Sequence, residues 1–160
     1  MGEWRRLGRI KQQLGDDECI EVLKACKRGV LSVLGDGGYP YGVPINHFWR
    51  EADGCLYFHG GMRGHKIDAM RRCDKASFCV FDEGVRNPGE WWLNVRSVVV
   101  FGRIEFIEDK DLLVEVARDL SHKFTDDDGY IEHEIEKDGS HTLLFRLVPE
   151  HMTGKRVNER

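Results

Sequence analysis

Val30-Leu31-Ser32-Val33-Leu34-Gly35-Asp36-Gly37-Gly38-Tyr39-Pro40-Tyr41-Gly42-Val43-Pro44-Ile45-Asn46 holds two apolar runs separated by Gly-Asp-Gly-Gly. Turn residues of this kind between β-prone runs predict a hairpin. The second run extends from Tyr39 to Trp49. Its two prolines cannot donate to a ladder, so the strand belongs at a sheet edge or beside a bulge, where a ligand can take the open side.

The remaining strands follow the same pattern. The turn Ala52-Asp53-Gly54 leads into an aromatic strand over Cys55–His59, and Ala76–Phe81 forms another. Val95–Ile107 reads as the longest strand, and Thr142–Val148 as the closing one. Helical spacing runs from Asp16 or Asp17, as cap, to about Lys27, with Gly29 as the stop signal. A short helix over Gly64–Arg72 turns Ile67 and Met70 inward, and a third covers Asp109–His122. Val85–Asn94 reads as a loop, and the polar Thr125–Gly129 and acidic Ile131–Lys137 stretches as surface-lying. Short strands joined by turns favour a mainly β (α+β) fold, an antiparallel barrel with helices at its ends, over an alternating parallel sheet. A chain of 160 residues without repeat or linker predicts one domain, residues 1–160.

Composition narrows the function classes. The net charge of −4 and the dispersed basic residues argue against a nucleic-acid binder. No apolar run reaches the roughly 18 residues that span a bilayer, and the N-terminal residues lack a signal-peptide core, so a cytoplasmic protein is expected. The five cysteines contain no C-x-x-C pair and read as free thiols of a reducing compartment. His47, His59 and His65 lack the carboxylate or thiolate company of a metal site, so no metal is expected. His122, His133, His141 and His151 read as solvated. No serine sits in a G-x-S-x-G elbow, which leaves a nucleophilic triad unsupported.

The most chemically suggestive stretch is Cys55-Leu-Tyr-Phe-His59-Gly-Gly-Met-Arg-Gly64-His65-Lys66. Its glycines permit close backbone approach, and the helix start that follows offers N–H groups and a positive dipole end to an anion. Lys66 and His65 add charge and hydrogen bonds at the same point. The spacing fits neither a P-loop nor a dinucleotide fingerprint. Trp91-Trp92, in a Pro/Gly loop, calls for cover by a subunit contact or a ligand lid.

Taken together, Arg28–Val33, Gly37–Asn46, Leu56–Gly60, Gly64–Met70, Lys75–Val80 and Arg96–Gly102 resemble the FMN-binding split-barrel proteins related to pyridoxamine 5′-phosphate oxidase, within them the nitroimidazole-resistance-like group. The resemblance covers roughly Asp16 to Gly154. It implies a homodimer with FMN at the subunit interface. Val43, Pro44, Ile45 and Asn46 would pass the isoalloxazine, and Phe58 and His59 the ribityl chain. Gly64, His65 and Lys66 would hold the phosphate, while Arg96 and Ser97 would come from the partner chain. Some relatives carry haem or a deazaflavin instead. The C-terminal Pro149–Arg156 stretch departs from the oxidase's substrate-gripping motif, which speaks against vitamin B6 oxidation. The implied activity is electron transfer from a nicotinamide to a small nitro-aromatic or quinone acceptor. The implied alternative is a flavin- or haem-binding carrier or sensor. No catalytic residue is assigned.

Overall fold

The computed structural model describes residues 3–160. Its seven strands are β1 (Arg28–Leu34), β2 (Pro40–Asn46), β3 (Phe48–Arg50), β4 (Cys55–Gly61), β5 (Lys75–Phe81), β6 (Asn94–Ile107) and β7 (Thr142–Asn158). They form one antiparallel sheet in the order β2-β1-β5-β6-β7-β4-β3, curled into a half-barrel. Four short helices accompany it: α1 (Asp16–Ala25), α2 (His65–Arg72), α3 (Lys110–His122) and α4 (Asp128–Asp138). Among the described residues no helix is long and apolar enough to cross a membrane.

Strand alternation explains the curl. Leu31 and Val33, Phe78 and Val80, and Val98 and Val100 all point to the concave side and are buried. Phe58 sits there between Phe78 and Phe145, at centroid distances of 5.1 and 5.4 Å. Full burial of each such ring contributes about 1.5–3 kcal/mol. Helices α1 and α2 add Val22, Leu23, Ile67 and Met70 to this core. A second, smaller core lies on the convex side of β4 and β7, where Cys55, Tyr57 and Leu144 pack against Val116 of α3.

Pro40 and Pro44 lie on an edge strand, the place their missing N–H groups call for. The predicted run from Tyr39 to Trp49, however, is two strands. It breaks at His47, and β3 pairs with β4 at the opposite edge of the sheet. His47 is fully buried at the break, with Nε2 2.6 Å from the Leu23 carbonyl. Lys123 fastens the same crossing by donating to the carbonyls of His47 (2.6 Å) and Cys26 (2.9 Å).

Other expectations need correction. Helix α1 is capped by Gly15 and ends at Ala25, with Asp16 and Asp17 inside its first turn. Gly29 is a strand residue of β1, not a helix stop; a Cβ there would meet the Cys79 carbonyl oxygen at 2.4 Å. The acidic stretch forms helix α4, because Asp127 caps it through the Tyr130 N–H and Ile131 is buried. The closing strand continues well past Val148: Pro149 is accommodated at a bulge opposite Phe101 and Gly102, after which pairing resumes to Asn158. His151 is not simply solvated, since its ring stacks on Trp4 at 4.9 Å. All five cysteines are free, Cys19 and Cys55 being buried.

Candidate anion and cofactor site

The unpaired edge of β2, the end of β4 and the start of α2 meet at one corner of the half-barrel. Gly64 caps α2 with φ 130°, a backbone conformation that favours glycine, and brings the chain from β4 into the helix. The first residues of that helix are His65 and Lys66.

His65 is clasped. Its Nε2 accepts a hydrogen bond from the Asp36 N–H at 3.0 Å, and its ring stacks on Tyr41 of β2 at 4.1 Å. An accepting Nε2 leaves the ring proton on Nδ1. The Asp36 carboxylate binds Arg72 at 2.7 Å, tying the other end of α2 to the same turn. Gly35 makes the clasp possible, because a Cβ there would lie 2.8 Å from that of Tyr41 and 3.1 Å from Nε2. Asp36, Tyr41 and Arg72 had no local sequence signal for this role, since they join the helix only through the curl of the sheet.

Lys66 extends over Gly60, where a Cβ would come to 3.4 Å from Nζ. It is half-buried and in no ion pair among the described residues. Burial pushes its ammonium below the ordinary lysine value. An anion beside it would offset that cost and favour the charged form. His59, one residue before Gly60, faces the convex side. Its imidazole is pushed down by burial first and by the Lys66 charge second.

The other predicted residues are distributed as follows. Ile45 is buried and Val43 half-buried against the main core, while Pro44 is exposed on the convex face opposite Val30. Asn46 accepts from the Arg28 Nε at 3.3 Å. Phe58 is a core residue with no exposed surface, its ring packed between Phe78 and Phe145. Arg96 and Ser97 start β6, away from this corner. Arg96 is held by Asp82 at 2.9 Å and Glu21 at 3.2 Å. Burial alone would raise the Asp82 carboxyl, but donation from the Arg96 side chain and from two backbone N–H groups holds it below its ordinary value. Among the described residues no group of three or more His, Cys, Asp or Glu converges as a metal would require.

The fold defines a class: a split β-barrel with a free strand edge and a helix mouth at one corner. Residues 15–156 match the family described as pyridoxamine 5′-phosphate oxidase, and the chain belongs to that family. Among solved structures, a protein of Bacteroides thetaiotaomicron described as a candidate 5-nitroimidazole antibiotic resistance protein shares the fold. Its TM-score is 0.74 at 19% identity, over 91% of this chain and 87% of that one. A FAD-binding protein from Mesorhizobium loti is 26% identical, with a TM-score of 0.62 over 91% and 97% of the two chains. The FAD-binding protein of Mycobacterium smegmatis is 20% identical, with a TM-score of 0.67 over 92% and 99%. A comparison with curated protein sequences finds no match.

Proposed function

We propose that the protein binds FMN in this corner and uses it as an oxidoreductase. The observation that carries the reading is Lys66, a half-buried cation without an ion-pair partner among the described residues, set over a glycine at a helix mouth. That is the donor set a phosphate needs. Family membership and the flavin-binding neighbours support a flavin as the molecule bearing that phosphate. Lys66 and the α2 N–H groups would hold the phosphate, with the proton-bearing Nδ1 of His65 as a further donor. The β2 edge from Val43 to Asn46 would face the ring system, and Gly60 would leave room beside the ribityl chain.

The flavin, when bound, supplies the electron chemistry, taking a hydride from a reduced nicotinamide and passing two electrons to a small acceptor such as a nitro-aromatic or a quinone. The chain's own part is to bind, orient and exclude water. A second copy of the chain completes the site in this reading. The convex face of β1, β2 and β5 carries Val30, Leu34 and Phe81 exposed. Arg96 and Ser97, remote from α2 in their own chain, would reach the ligand of the partner.

The test is direct. Purified protein should carry a flavin absorbance band, with FMN identified by mass after release, and the band should bleach on anaerobic addition of NADH or NADPH. Protein that takes up no flavin overturns the cofactor assignment. A bound flavin that never bleaches with either nucleotide reduces the protein to a carrier.

A further inference from the structure

The convex side of β4 carries a feature that the cofactor corner does not use. Helices α3 and α4 lie over the ends of β4 and β7 and leave a pocket of about 290 Å³ between them. Its walls are apolar: Leu113 and Ala117 from α3, Ile135 from α4 and Leu144 from β7. That volume is at the lower end of the roughly 300–1,000 Å³ of small-molecule sites. One wall is His59, whose neighbour Gly60 lies under the Lys66 ammonium. Strand neighbours point to opposite faces, so the pocket lies across β4 from the Lys66 corner.

The lining also sorts ligands by charge. Its titratable groups are His59, Tyr130, Glu134 and Asp138, with no lysine or arginine among them. Neither carboxylate is engaged in an ion pair among the described residues. Burial first, and the Lys66 charge second, push the His59 imidazole below its ordinary value, which favours its uncharged form. A carboxylate or phosphate ester entering here would face two uncompensated negative charges. An uncharged or cationic ring meets apolar walls and acceptors for its donors.

We infer that this pocket binds a small planar ring compound that is neutral or positively charged, and rejects its anionic counterpart. As the place for a second ligand of a flavoprotein it rests on the flavin reading, but the binding itself does not. Charge selection sets the pocket apart from the Lys66 corner, which selects the opposite sign.

Three near-isosteric probes test it: benzamidinium, benzamide and benzoate, titrated into the full-length protein at pH 7 with and without flavin and followed by calorimetry and amide NMR shifts. Benzamidinium and benzamide should bind at least tenfold more tightly than benzoate, with shifts centred on α3, α4 and His59. Glu134→Gln with Asp138→Asn should narrow the difference between benzamidinium and benzoate. Ala117→Phe should cut benzamide binding at least tenfold while flavin affinity is unchanged. Ile135→Trp fills the cavity from the other helix and serves if the first variant does not fold. Equal binding of benzoate, or filled variants that bind benzamide as before, would overturn the inference. Probe binding without any flavin uptake would strike the cofactor reading and leave the pocket standing.

Discussion

The convex side of the sheet is finished differently in its two halves. Over β3, β4 and β7 it is roofed by α3, whose Val116 is fully buried against Cys55, Tyr57 and Leu144. A polar network seals the rim, with Tyr57 donating to Asp53 at 2.7 Å and Arg146 reaching both Tyr57 and Glu105. Over β1, β2, β5 and β6 the same alternation delivers a row across four strands, Pro44, Val30, Cys79 and Val99, with no helix above it. One half buries its apolar face within the chain. The other presents a contiguous apolar face of the kind that marks an interaction surface, and the proposed dimer covers it. The Lys66 corner lies at the open edge of β2.

The sharpest way to break this contrast is to place the same charge on each half. Val116→Lys buries an ammonium without a partner and should cost about 4 kcal/mol or more in a urea titration. Val99→Lys, only partly buried, should change monomer stability by about 1 kcal/mol or less. Its effect should instead appear in sedimentation, as a shift from dimer to monomer. A dimeric Val99→Lys protein would remove the bare face as the interface.

His47 stands where the chain leaves the uncovered half for the roofed one, and it tests that crossing through pH. Burial first, and the Lys123 charge second, lower its folded value from 6.5 to about 4. Between those values the unfolded chain takes up a proton that the folded one refuses. Stability is therefore complete above about pH 6.5 and falls as the pH drops toward 4, by about 3 kcal/mol. His59 moves in the same direction, so the measurement is a difference: the pH profile of His47→Gln should be flatter than that of the wild type over this range. Parallel profiles would show that His47 is protonated without penalty.

Which parts of this were legible in the sequence follows from how local each cause is. The Gly-Asp-Gly-Gly hairpin, the Pro-marked edge strand and the Gly64–Lys66 helix mouth are written in adjacent residues, and they were read correctly. The continuation of β7 beyond Pro149 was not, because the extra residue that absorbs the proline, Glu150, is fixed only by pairing against Phe101 and Gly102 of another strand. Helix α4 was missed because most of its face is acidic and only Ile131 is buried. At the site, Lys66 was visible but its isolation from carboxylates was not. Ion pairing depends on which strands the curl brings near, and so does the His65 clasp to Asp36 and Tyr41.

A smaller effect sharpens the assignment of the Lys66 corner. Lys66→Ala removes one charge-assisted contact to a phosphate, worth about 1.5–3 kcal/mol. Flavin affinity should fall by one order of magnitude or more, with stability hardly altered, since the side chain makes no ion pair among the described residues. Unchanged affinity would assign the anion to backbone donors alone.

The smallest effect concerns the rim of the roofed half. Tyr57→Phe deletes a hydroxyl that donates to Asp53 and accepts from Arg146 at 3.1 Å. Asp53 and Arg146 remain 3.6 Å apart, and Arg50 still reaches Asp53 at 3.1 Å, so neither charge is stranded. The loss should be about 1 kcal/mol at pH 7, well below that of an orphaned buried charge. It should also depend on pH in a particular direction. Burial raises the Asp53 carboxyl, but the Tyr57 hydroxyl, the Cys55 N–H and Arg50 outweigh it and hold the group below its ordinary 3.8. That stabilisation is present above the ordinary value and lost as the pH falls through the folded one. Deleting the hydroxyl removes one of the groups favouring the carboxylate, so wild type and variant should differ most at neutral pH and converge in acid. A difference that stays constant down to pH 3 would mean that the hydroxyl contributes only packing, and that the rim is held by its arginines.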